Sequence, residues 1–177
     1  VYVPPVDDPA DQAAIVQALL PPALHVWTPP MLALVQLLAH QLGGAEHTGL
    51  GVRDLVGWAH FLREATARGL VSAPLAFAHG AALTVIDALG ALPATAAMPA
   101  SRVQALRVQC YAAVNAAIAP AHLDPTDPAL YAVHETATAW GVGPFAIAKG
   151  PHPPAAPPFT FAAPTTAANA LRVLRAC

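Results

Sequence analysis

Between Gly51 and Gly69 the apolar residues recur with the period of an α-helix, and no other stretch constrains the fold as tightly. Val52, Leu55, Val56, Ala59 and Leu62 fall at i, i+3, i+4, i+7 and i+10, with Trp58 and Phe61 widening that face. Arg53, Gly57, His60 and Glu64 take the opposite stripe. A helix with so broad an apolar face needs other elements to cover it. A glycine-rich turn leads into it, and its first turn carries a cation, Arg53. A cation there opposes the helix dipole, at about 0.3–1 kcal/mol, unless it shares an anion. Asp54 is one candidate for that anion, and a phosphate is the other.

The flanking segments supply the cover. Asp7 or Asp8 can cap a helix with Pro9 near its first turn, continuing through Ile15, Val16, Leu19 and Leu20 until Pro21-Pro22. Thr28 is expected to cap a second, with Pro29 at its first position. Its Leu34, Leu37, Leu38 and Gln41 are spaced by three or four, and Gly43-Gly44 stops it. Ser72 opens a fourth, with Leu75, Ala78, Leu83, Ile86 and Leu89 inward and Gly90 as its stop. Four helices joined by short turns predict a helical bundle.

Past Leu92 the pattern loosens. Ser101 is the expected cap of a fifth helix through Leu106, Val108, Val114 and Ile118, before Pro120, Pro125 and Pro128 break the chain. Residues 130–137 and 142–148 are β-compatible runs around Gly141 and Gly143 and predict a small hairpin. Residues 151–158 form a proline-rich linker, and Pro164 or Thr165 starts a last helix through Ala167, Leu171, Val173 and Leu174. The fold class expected is mainly α.

Composition bounds the function. The chain of 177 residues is 56% hydrophobic and only 10% charged, against a usual charged share of about 25%. Such a sparse charge suits a piece that packs against more protein; biased codon usage would enrich alanine and proline too. A net charge of −2 gives no electrostatic case for nucleic-acid binding. Cys110 and Cys177 lie far apart, which supports neither a disulfide framework nor a zinc site. The apolar runs are all interrupted by charge or proline before reaching the roughly 18–20 residues of a membrane span. Its abrupt ends make the chain read as a fragment.

Residues 51–55, Gly-Val-Arg-Asp-Leu, resemble the sensor-2 motif that opens the third lid helix in AAA+ ATPases. The longer string GVRDLVGWAHFL, residues 51–62, is similar to the form this motif takes in the midasin family, giant AAA+ proteins of ribosome assembly. AFAHGAALTVIDALG, residues 76–90, resembles the next lid helix. WGVGPFAIAKG, residues 140–150, resembles a segment between consecutive ATPase units. FAAPTTAANALRVLRA, residues 161–176, resembles the lead-in to the following unit's phosphate loop. The four occur in the family's order.

The resemblance implies a division into a helical lid, residues 1–95, and an inter-unit linker with the next unit's lead-in, residues 96–177. Residues 1–3, a short strand-like run, would leave the upstream ATPase core. Arg53 would pair with the γ-phosphate of ATP, a role that planar, permanently charged guanidinium suits. Val52 and Leu50 would touch the adenine, and Pro164, Thr165 and Thr166, with Asn169, would line the adenine side of the next pocket. The implied cofactor is ATP, with Mg²⁺ held by the core. The implied partners are neighbouring AAA+ units, the pre-60S ribosomal particle and its assembly factors, in the nucleus, with no direct nucleic acid and no membrane.

Other chemistry is weaker. The sequence has no Gly-x-x-x-x-Gly-Lys-[Ser/Thr], and Lys149-Gly150-Pro151 is wrongly spaced and followed by proline. With no Walker B pair either, this segment alone is not expected to hydrolyse ATP. His40, His47 and His60 lack metal-site spacing, His60 and Glu64 can pair at i, i+4, and His79 reads as a packing position. Arg172 and Arg175 are expected on a solvated or inter-unit face. The rival reading is a stand-alone helical protein-interaction module without nucleotide chemistry.

Overall fold

A computed structural model describes Val6 and residues 8–43, 49–151 and 163–177. The chain is mainly helical and divides into two compact units, residues 1–123 and 124–177. Residues 1–3, 44–48 and 152–158, which carry the strand-like start, part of the glycine-rich turn and most of the proline-rich linker, lie outside the described residues.

Helix α1 (Pro9–Leu19) begins where the Asp8 carboxylate accepts the Ala10 N–H at 2.8 Å, with Pro9 in the first turn. A 3₁₀ turn, Pro22–Trp27, runs straight into α2 (Thr28–Leu42). Thr28 is therefore not the expected cap. It has helical dihedrals, not the extended ones a cap residue needs, and its N–H donates to the His25 carbonyl as the 3₁₀ turn continues into the helix. That hydroxyl is buried with no hydrogen-bond partner. Gly43 ends α2 in the left-handed region, φ 88°, its N–H on the Ala39 carbonyl. By length and composition, the continuous stretch Pro22–Leu42 could cross a membrane. Here its Met31, Leu34 and Leu38 are buried in the bundle, while Gln41 is exposed.

The centre of the first unit is the seam between α3 (Val52–Ala67) and α4 (Ala73–Ala81). Trp58, fully buried, donates its indole N–H to the Phe77 carbonyl at 2.9 Å. Its ring lies 4.8 Å from that of Phe77, which stacks at 4.9 Å on Trp27. Gly80 makes this approach possible: a Cβ there would stand 2.4 Å from Trp58 Cδ1. Residues 76–82 are all buried, His79 among them.

Beyond Ala81 the helix widens into a π segment, Ala82–Ile86, whose wide turn shows in the Asp87 N–H donating to the Ala82 carbonyl at 2.8 Å. The Thr84 hydroxyl donates to the Gly80 carbonyl at 2.9 Å. The sequence pattern predicted an uninterrupted helix here. A wide turn keeps Val85, Ile86 and Leu89 buried all the same.

A short helix, α5 (Pro93–Ala96), leads to α6 (Ala100–Ile118), which packs on α2 and α4. Pro99 occupies the cap position and Ser101 lies inside the helix. Val103, Leu106, Cys110, Val114 and Ile118 face the core, whereas Val108 is exposed. Asn115 then clamps the chain beyond the helix: its amide N–H donates to the Leu123 carbonyl at 3.1 Å and its Oδ1 accepts the Leu123 N–H at 2.9 Å. These contacts extend the first compact unit past residue 95, to Leu123.

In the second unit a 3₁₀ turn, Pro128–Tyr131, is capped by Asp127 and leads to three antiparallel strands. These are β1 (Val133–Glu135), β2 (Ala139–Val142) and β3 (Phe145–Ala148), in that order across the sheet. The expected hairpin thus gains a strand, because residues 139–142 pair on both sides. Gly141 is required by the Phe145 carbonyl oxygen, which a Cβ would meet at 2.5 Å, the same distance as the His134 ring. Helix α7 (Pro164–Ala176) packs on β2 and β3, and Leu171, Leu174, Val142 and Phe145 form a small core.

Candidate functional site

The amino end of α3 brings together three of the residues singled out above. Gly51 is extended, and its N–H donates to the Asp54 carboxylate at 2.8 Å. Its carbonyl accepts the Asp54 N–H at 3.0 Å. This is one arm of a capping box; glycine has no side chain to complete the other. Leu50 is buried and anchors the turn, Val52 is half-buried and Arg53 is exposed. Leu50 therefore serves the core, which leaves Val52 and Arg53 as the residues of this turn open to a ligand.

Asp54 faces back onto the Gly51 N–H rather than forward onto Arg53, and no ion pair joins Arg53 to it among the described residues. The carboxylate lies where the helix dipole favours it, and the guanidinium where the dipole does not. The local anion that would account for Arg53 is thus already committed to the backbone.

The other end of α3 is arranged differently. Arg63 Nε and Nη2 donate to Glu64 Oε1 at 3.0 and 2.9 Å, and Nη2 lies 3.1 Å from His60 Nδ1. Its Nη1 donates to the Leu19 carbonyl at 3.3 Å, satisfying the last turn of α1. Arg63 thus stands between His60 and Glu64, which were expected to pair directly. It ties α1 to α3, a role its position in sequence did not signal.

Pro164, Thr165 and Thr166 form the first turn of α7 in the second unit, with Thr165 exposed and Thr166 half-buried. No side chain caps this helix, and the Thr166 N–H donates to the Ala163 carbonyl at 2.9 Å. Asn169 Oδ1 accepts from Arg172 at 3.0 Å. Arg172 is exposed as expected, but Arg175 is buried on the inward side of α7. Its long apolar stem suits that position.

No group of three or more metal-ligating side chains occurs among the described residues, and His47 lies outside them. Lys149 pairs with Glu135 across the sheet and donates to the Thr136 carbonyl. Burial pushes the Cys110 thiol up to about 11, which suppresses the reactive thiolate. Comparison with protein-family models, curated proteins and solved structures finds no match to this chain.

Proposed function

We propose that this chain is the lid and linker of a midasin-like AAA+ ATPase, coupling ATP binding and hydrolysis in an adjoining core to remodelling of pre-60S ribosomal particles. The observation that supports this reading best is Arg53, exposed on the first turn of a rigidly seated helix while Asp54 is bound to the backbone. In this reading Arg53 reaches the γ-phosphate of ATP held by the upstream core, with Mg²⁺ held there too. Val52 lies beside the adenine. Because Trp58 and Gly80 fasten α3 to α4, a pull on Arg53 moves the bundle as a body and the linker carries that motion onward. The first turn of α7, with Thr165 and Thr166, leads into the next unit's nucleotide pocket. The work is done in the nucleus, on assembly factors, through neighbouring AAA+ units.

A second reading is a helical module that binds protein and no nucleotide, which the sparse charge, 10% of the chain, would suit. Sequencing the flanking coding region separates the two. A Walker B strand upstream and a phosphate loop shortly after Cys177 are expected for the ATPase segment; stop codons at both ends would overturn it.

A further inference from the structure

The sheet of the second unit has two edges, β1 and β3, and they are protected to different degrees. Antiparallel strands direct the N–H and C=O groups of alternate residues to each neighbour. The Lys149 N–H donates to the Thr138 carbonyl at 2.8 Å, continuing the register that pairs Trp140 with Ile147. Phe145 and Ile147, in phase with Lys149, therefore direct their backbone groups to β2, and Ala146 and Ala148 direct theirs outward. No hydrogen bond to those outward groups is found among the described residues. On β1 the same alternation leaves Val133 and Glu135 outward, because the Gly143 N–H is on the Ala132 carbonyl and the Thr136 N–H on that of Ala139.

An open edge is a template for another strand, and proteins blunt it with charge, proline or bulges. The β1 strand is three residues long and carries Glu135 at an outward position. The β3 strand has none of these devices. Its Phe-Ala-Ile-Ala is uncharged and free of proline, and its register with β2 runs without a bulge. Ala146, Ile147 and Ala148 are all exposed, so only apolar side chains flank the open backbone. Pro144 and Pro151 stand just outside this stretch and limit how far an added ladder extends.

We infer that the outer edge of β3 pairs antiparallel with β3 of a second copy of this chain, closing a symmetric dimer across one continuous sheet. The edge is self-complementary. With Ile147 opposite Ile147 of the second copy, Ala146 of each chain meets Ala148 of the other, and each such pair exchanges its N–H···O=C bonds. The two Ile147 side chains then lie together on one face, covering apolar surface that is exposed in the single chain. A copy brings no bare like charge to the axis, because the strand has none and Lys149 beyond it is paired with Glu135. An unrelated extended peptide needs pockets for its alternate side chains, and the outward alanines offer none. So short a ladder buries well under the roughly 1,200 Å² of a standard interface, and the expected dissociation constant is about 0.1–1 mM. The inference is independent of the nucleotide reading.

The test is serial dilution of the full chain across that range, followed by sedimentation equilibrium and two-dimensional NMR. A monomer–dimer equilibrium is expected, with concentration-dependent amide shifts centred on residues 145–149. Hydrogen exchange at the Ala146 and Ala148 N–H groups is expected to slow as the dimer fills. Ile147→Lys, a change at an exposed position that sets like charges across the axis, is expected to weaken association at least about tenfold and keep the monomer spectrum. Ala146→Pro, which removes one outward donor, is expected to weaken it on the same scale. A chain that stays monomeric throughout, shifts centred elsewhere, or a dimer indifferent to Ile147→Lys would overturn the proposal. Slow exchange of Ala146 and Ala148 in a monomer would overturn it too, since the edge would then be covered from within the chain.

Discussion

The two ends of α3 each present an arginine, and the structure uses them in opposite ways. Arg63 is engaged on three sides, by Glu64, by His60 and by the Leu19 carbonyl at the end of α1. Arg53 stands exposed in the first turn, against the helix dipole, next to an aspartate already occupied by the Gly51 N–H. One arginine holds helices together. The other makes no such tie among the described residues. Between them lies the Trp58 seam, where the indole N–H donates to the Phe77 carbonyl.

The comparison depends first on the seam. Gly80→Ala drives a methyl into the Trp58 indole, and overpacking of this kind costs about 1–3 kcal/mol. Chemical denaturation should show that loss, with Trp58 fluorescence shifting as the indole leaves the Phe77 carbonyl. An unchanged midpoint would mean that the two helices are not locked there.

Arg63→Ala should cost less, about 1 kcal/mol, because it frees the Leu19 carbonyl and breaks a largely exposed ion pair. Faster amide hydrogen exchange at the α1–α3 contact is the sharper readout. Arg53→Ala should leave stability within about 0.5 kcal/mol, or raise it slightly as a dipole conflict is removed. A large destabilisation would make Arg53 a second structural arginine and erase the contrast.

A slower test concerns Cys110, whose thiol is pushed up to about 11 by burial, from an ordinary value of 9.0. The folded state then holds its proton while the unfolded chain loses it, so stability is full below pH 9.0 and falls as pH rises towards 11. Cys110→Ala should flatten that alkaline slope, measured as denaturation midpoints across this range. Exposed Cys177 should react with a thiol reagent while Cys110 stays protected in the folded chain.

Much of the bundle was legible in sequence where the signals are local. Asp8 and Pro9 start α1 and Gly43 ends α2, and each depends on chemistry within one helical turn; Asp54, read as a candidate partner of Arg53, instead holds the Gly51 N–H. Thr28 misled because the preceding 3₁₀ turn already holds it in helical dihedrals, a condition set by the fold of residues 22–27. The π segment, the role of Gly80 and the tie from Arg63 to α1 were hidden for the same reason: each is decided by a partner distant in sequence. In the second unit, the middle strand was obscured because Gly141 weakens its apolar pattern, although the close Phe145 carbonyl needs that glycine. Of the expected site, Val52 and Arg53 stand open at one turn, while Leu50 belongs to the core. The alternation of a helix face locates an exposed arginine well, but cannot tell which of two is already engaged.

The most direct measurement is nucleotide binding by a longer polypeptide that includes the upstream ATPase core, comparing the parent with Arg53→Ala. The account predicts weaker ATP binding, by about tenfold or more for loss of a charge-assisted phosphate contact, with ADP affinity little changed. Equal ATP affinity in both proteins would contradict it and leave Arg53 a surface residue of a protein-binding bundle.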